Sequence, residues 1–222
     1  MLFVFCAALL TDAPQDTARL REALKPLNGL VGTWKGTAQP QDREAKRKRQ
    51  FWKEESTWVW VLTQQKTGLA WEVKGSKLLT RAFISWLPVE KKLTAQVELQ
   101  GGPTVPLLGT VGPNQFTAEG TAPNGDHWRL TVRVANENRY TYTLDRRASG
   151  SEAFVPIVET GNTRSGVQFA AGATGPECIV TGGKATITVT YRGQTYYVCC
   201  SGCKEAFEAD PESFIKADKK KP

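Results

Sequence analysis

The chain alternates apolar and polar residues with period two over several short stretches. Leu93, Ala95, Val97 and Leu99 alternate with Thr94, Gln96 and Glu98. Trp128, Leu130, Val132 and Val134 alternate with Arg129, Thr131 and Arg133. Tyr140, Tyr142 and Leu144 alternate with Thr141, Thr143 and Asp145. Such alternation places one face on a core and the other in water, so each run predicts a strand. Trp58, Trp60 and Leu62 continue the series, although Val59 and Val61 make that run apolar on both faces. Gly101-Gly102-Pro103, Pro113-Asn114, Pro123-Asn124-Gly125-Asp126 and Asn136-Glu137-Asn138 supply turns between the runs. Short strands joined in series form a meander, and closing it hides its edges. The spacing predicts an antiparallel barrel from about Leu30 to Thr163. Before it, Leu20, Leu24 and Leu27 mark an amphipathic helix over Pro14–Lys25, with Asp12 as its cap and Pro26 as its stop.

Composition divides the 222 residues in two. All seven Trp lie before residue 129, whereas four of the five Cys lie in the last 45 residues. This break predicts two units with different sources of stability: a barrel over 14–165 and a cysteine module over 177–217. A small-residue linker at 166–176 joins them, and a solvated tail follows at 218–222. Leu2–Leu10 is apolar and too short to span a bilayer, so residues 1–13 are expected to be a signal peptide that includes Cys6. The usual basic start of such a leader is missing. A periplasmic or secreted protein is the expectation, and no run of 18 apolar residues predicts a membrane span. The net charge of +7 permits acidic partners. The basic run Arg43–Lys53 reads as a solvated loop between the first two strands, because no nucleic-acid motif accompanies it.

The start of the β region reads Leu30-Val-Gly-Thr-Trp-Lys-Gly-Thr-Ala38. Its Gly32-x-Trp34 resembles the calycin group: lipocalins, fatty-acid-binding proteins and nitrobindin-like barrels. That resemblance implies that Trp34 closes one end of the barrel against a late-strand Arg, here Arg146 or Arg147. It also implies an interior able to hold a small apolar ligand. Trp58, Trp60, Trp71, Trp86 and Trp128 are more simply core. Haem is disfavoured, because the single histidine, His127, begins a strand just after a turn. No G-x-S-x-G, H-E-x-x-H, P-loop or G-x-G-x-x-G occurs, and a non-enzymatic protein is expected.

The last unit carries the chemistry. Cys178 lies in a turn bounded by Gly and Pro. Thr186–Tyr191 and Thr195–Val198, joined by Arg192-Gly193-Gln194, read as a hairpin that returns Cys199, Cys200 and Cys203 beside Cys178. A short helix follows, and Asp210-Pro211 starts another. A loop thiolate, a strand-end thiolate and one from a first helical turn can then converge as in a treble-clef-like site. Thiolates suit Zn(II) and Cu(I). The spacing C-x20-C-x3-C, the run YRGQTYYVCC and the segment GCKEAFEADPESF resemble the YHS/TRASH family of metal-binding domains. The resemblance implies Cys178, Cys199 and Cys203 as ligands, and a link to heavy-metal sensing, trafficking or resistance. Two departures stand out. Thr181 occupies a place where some relatives carry a further Cys, and Cys200 replaces a usual Ser, as a fourth ligand or a spare thiol. Two alternatives remain: a thiol–disulfide oxidoreductase using Cys200-x-x-Cys203, and a pair of structural disulfides among the four cysteines. The fold class expected is mainly β: a calycin-like barrel with an N-terminal helix, then a hairpin-plus-helices module.

Overall fold

The computed structural model describes residues 13–48, 50–63, 66–87, 90, 92–165, 176–181 and 185–218. Helix α1 (Ala13–Leu24) runs into a 3-10 turn (Lys25–Leu30) that contains Pro26. The barrel strands are β1 (Gly32–Pro40), β2 (Trp52–Leu62), β3 (Thr67–Lys74), β4 (Leu79–Leu87) and β5 (Lys92–Leu99). They continue with β6 (Thr104–Gly112), β7 (Gln115–Thr121), β8 (His127–Asn136), β9 (Arg139–Arg147) and β10 (Val155–Arg164). Every neighbouring pair is antiparallel, and β1 pairs with β10 to close the barrel. The expected closed antiparallel barrel is therefore present, its last strand ending at Arg164. Short helix α2 (Arg43–Arg47) replaces part of the loop expected over Arg43–Lys53. The Asp42 side chain caps it by accepting from the Ala45 N–H at 2.8 Å, and Glu44 pairs with Lys48.

Alternation places Trp34, Gly36 and Ala38 of β1 and Glu54, Ser56, Trp58 and Trp60 of β2 inside. Trp58 stacks on Trp71 with ring centroids 4.5 Å apart, and Tyr140 meets both Trp34 and Trp58 edge-on. A buried Trp removes roughly 200 Å² from water, worth on the order of 5 kcal/mol before entropy is counted. Trp86 and Trp128 are only partly buried, so the core reading holds fully for Trp58, Trp60 and Trp71. One wall is polar. The Tyr142 hydroxyl donates to the buried Glu54 carboxylate at 2.7 Å, and Ser56 and Trp58 Nε1 both bond the Tyr140 hydroxyl. Burial raises the Tyr140 phenol well above its usual range.

Trp34 does close one end, but its cation is Arg164 rather than Arg146 or Arg147. The Arg164 guanidinium lies 4.1 Å from the Trp34 ring and donates to Val31 O and Gly29 O. Gly32 makes the approach feasible. Its φ is +125°, and a Cβ there would stand 2.6 Å from Arg164 Nη1. Arg146 instead pairs with Asp126 at 2.9 Å, and Arg147 lies over Phe154. Both sit where β9 meets the start of β8, away from Trp34.

After residue 176 come hairpin strands β11 (Ile187–Tyr191) and β12 (Gln194–Val198), then helices α3 (Ser201–Ala209) and α4 (Pro211–Asp218). Arg192 and Gly193 both take positive φ, as a two-residue hairpin turn requires. Val189, Val198 and Phe207 form the module's apolar centre, and this core is continuous with that of the barrel. The expected leader (apart from Ala13), the linker (apart from Pro176) and the tail after Asp218 lie outside the described residues, as does Asp12. No described helix is long and apolar enough to cross a membrane.

Candidate metal centre

Cys178 sits in the turn before the hairpin, Cys199 just past the end of β12, Cys200 at the N-cap of α3 and Cys203 in its first turn. The pairing Ile187↔Val198 and the bond from Ile179 N–H to Tyr197 O (2.9 Å) lay the Cys178 turn against the end of β12. The Sγ atoms of Cys178, Cys199 and Cys203 all lie within 4.8 Å of one another, and all three residues are buried. Cys199 and Cys203 Sγ are 3.5 Å apart. With metal–sulfur bonds of about 2.3 Å, tetrahedral thiolates stand about 3.8 Å apart and trigonal ones about 4.0 Å. The sulfur set therefore fits a small thiophilic ion with little adjustment.

Cys200 stands slightly aside. Its Sγ is 4.0 Å from Cys199 Sγ and accepts the Trp60 backbone N–H at 3.3 Å. Thr181, where some relatives carry Cys, sets its hydroxyl 3.5 Å from Cys199 Sγ. All four cysteines are free thiols, so the paired structural disulfides expected as an alternative are not formed. Hydrogen bonds from Cys199 and then Cys203 push the Cys178 thiol below its usual range, and the same two partners push Cys200 down. Bonding to Cys178 raises both the Cys199 and the Cys203 thiol, which disfavours loss of their protons. A bound cation would displace those protons.

The barrel forms the far wall of this centre. β1 begins at Gly32, opposite Trp58, so Trp60 extends beyond β1 and its N–H is left for Cys200. Gly202 of α3 lies flush on the same residue. A Cβ there would stand 1.6 Å from Trp60 O. A cleft of about 500 Å³ between the barrel rim (Thr33, Thr57, Trp58, Arg164) and the module opens onto Cys199 and Cys200. His127 is remote in role. It begins β8 half-buried, with Nδ1 3.0 Å from the Thr121 hydroxyl, which lends haem ligation nothing.

Sequence reasoning found the four cysteines but missed Arg21, Asn28 and Trp60, which touch the module from the N-terminal segment and β2. Their contacts span 140 to 159 residues, and no local pattern reports them.

A closed antiparallel barrel carrying a buried thiol centre at one end defines the class of protein. The C-terminal unit is a YHS domain, matched over residues 180–218. The match leaves Cys178 two residues before its start. No curated protein matches the chain. Among the solved structures similar to part of it are two distant ones. Rv2717c from M. tuberculosis is 17% identical, covering 64% of this chain and 97% of its own, with a TM-score of 0.45. The S-type phycobiliprotein lyase CPES from Guillardia theta is 8% identical, covering 70% of this chain and 98% of its own, with a TM-score of 0.43.

Proposed function

We propose that this protein is an exported, non-enzymatic binder of Zn(II) or Cu(I), held by Cys178, Cys199 and Cys203. The observation that carries the reading is the convergence of three buried sulfurs from a turn, a strand end and a helix. Soft thiolates select thiophilic ions, and the surrounding apolar residues keep water from competing. Three thiolates suit trigonal Cu(I), and Cys200 as a fourth would suit tetrahedral Zn(II). Burial weighs against the oxidoreductase alternative. A dithiol catalyst exposes its attacking sulfur to partner disulfides, whereas Cys200 and Cys203 are 5% and 0% exposed.

Metal content of protein purified without affinity-tag metal tests the reading, together with Cys→Ser changes at each of the four positions. Metal lost with Cys178→Ser as fully as with Cys203→Ser supports it. Full metal content in Cys178→Ser, with disulfide exchange that depends on Cys200 and Cys203, would favour the redox reading. Export is tested separately by the N-terminal mass of the mature protein, expected near Pro14. Intact Met1 on a cytosolic form would exclude it.

A second reading concerns the barrel. The Asn162 amide faces the interior at 1% exposure, and neither its oxygen nor its nitrogen has a partner among the described residues. An interior ligand would therefore meet a donor and an acceptor as well as rings, and a small amphipathic molecule fits better than a wholly apolar one. Native mass spectrometry of freshly purified protein tests this. A bound small molecule lost on Asn162→Leu supports the reading; bare protein in both forms counts against it.

A further inference from the structure

The four thiols use cations and donors that lie outside the YHS domain. Arg21 of α1 donates from Nη1 to Val180 O at 2.9 Å, and its guanidinium lies 5.7 Å from the Phe214 ring of α4. Asn28, in the 3-10 turn, donates from Nδ2 to Thr181 O at 2.6 Å and accepts Trp60 Nε1 at 3.2 Å. The two side chains thus clamp the turn that carries Cys178, while the Trp60 N–H holds Cys200. They do different work. Asn28 is neutral and can only position the turn. Arg21 positions the same turn and also brings a positive charge onto the carbonyl two residues past Cys178. A half-buried guanidinium with one Nη1–H on a carbonyl and its central carbon over a ring is held in place, so its charge is a fixed part of the site.

We infer that Arg21 is the resident counter-cation of the thiol centre and a specificity-determining residue for its metal, with Asn28 a positioning residue only. This inference rests on the metal-binding reading above. The physical reason is charge balance in a water-poor site. On the same set of thiolates, a Cu(I) complex carries one more negative charge than a Zn(II) complex. A fixed positive charge nearby stabilises the more negative complex more strongly. Arg21 therefore favours Cu(I) over Zn(II) relative to the same site without it. Groups that hold a metal's ligands in place commonly change its affinity ten- to a hundredfold when removed.

Chelator competition on the full chain, run with Zn(II) and separately with Cu(I), tests the inference. Arg21→Gln is expected to weaken Cu(I) binding by ten- to a hundredfold and Zn(II) binding several-fold less. Arg21→Lys, which restores the charge without the planar fork, is expected to return the Cu(I)/Zn(II) ratio toward that of the native chain. Asn28→Ala is expected to weaken both ions equally, and Arg133→Gln on the outer face of β8 neither. Far-UV dichroism of the metal-free variants confirms that each is folded. If Arg21→Gln proves unfolded, Arg21→Met, which also removes the charge, is measured in its place. Equal losses for the two ions in the neutral variant, or a Cu(I)/Zn(II) ratio in Arg21→Lys as low as in the neutral variant, would overturn the counter-cation role. A native chain that binds neither ion would instead overturn the metal-binding reading itself.

Discussion

The barrel and the cysteine module solve the same problem with different materials. The barrel buries Trp34, Trp58, Trp60, Trp71, Tyr140 and Tyr142 and leaves no strand edge open. The module has one hairpin of two five-residue strands and two short helices, and its fully buried apolar side chains besides the cysteines reduce to Phe207 and Val198. A unit of about 40 residues cannot remove enough apolar surface from water to offset its chain entropy. Its interior is completed by four sulfurs and by the end of the barrel. The barrel can therefore lose a contact and remain a barrel, whereas the module depends on its thiols and on its dock.

The sharpest way to break this comparison is to remove one thiol. Cys178→Ser or Cys203→Ser should abolish stoichiometric metal binding, and added metal, expected to raise the melting temperature of the native chain, should no longer do so. Cys200→Ser should weaken binding less. Calorimetry with and without Zn(II) separates these outcomes. Trp58→Ala attacks the other side. It deletes the stack on Trp71 and the bond to Tyr140, and should cost about 3–5 kcal/mol in denaturant unfolding followed by far-UV dichroism. Added metal should recover little of that loss.

Gly202→Ala tests the dock. The new methyl meets Trp60 O, a backbone atom that cannot swing aside, so α3 must lift from β2. A cost of about 1–3 kcal/mol is expected, with the module's hydrogen-exchange protection falling while that of the barrel stays. The smallest effect belongs to Asp126, whose carboxyl is held below its usual range chiefly by the Arg146 side chain, with help from the Ser149 N–H. A lowered folded pKa stabilises above the unfolded value of about 3.9 and is lost as pH falls through the folded one. Asp126→Asn should thus melt slightly below the native chain at pH 7. The gap should close as the pH drops below about 4.

Where period two put apolar residues inward, as in β5, β8 and β9, the strands could be read directly from the sequence. β10 could not, because its inward positions are Val158, Thr160 and Asn162, and a polar face carries no hydrophobic signal. The same strand supplies Arg164, whereas β9, with its clear alternation, displays Arg146 and Arg147 in the sequence. Helix α2 hid inside a charge run that reads equally well as loop. The cysteines announced themselves through spacing. Their surroundings did not, since Arg21, Asn28 and Trp60 meet the module only after the whole barrel has closed.

The pairing of β1 with β10 also fixes an order of events. Trp34 faces Arg164 across some 130 residues of chain, so β1 waits unpaired on one side until the last strand has been made. Long-range pairings of this kind are slow to form, and the open edge is a hazard while it waits. The seam between first and last strands therefore carries the longest sequence separation of any pairing in the barrel. The Arg164–Trp34 contact acts as its clasp, beside the cleft where the barrel rim meets the YHS domain.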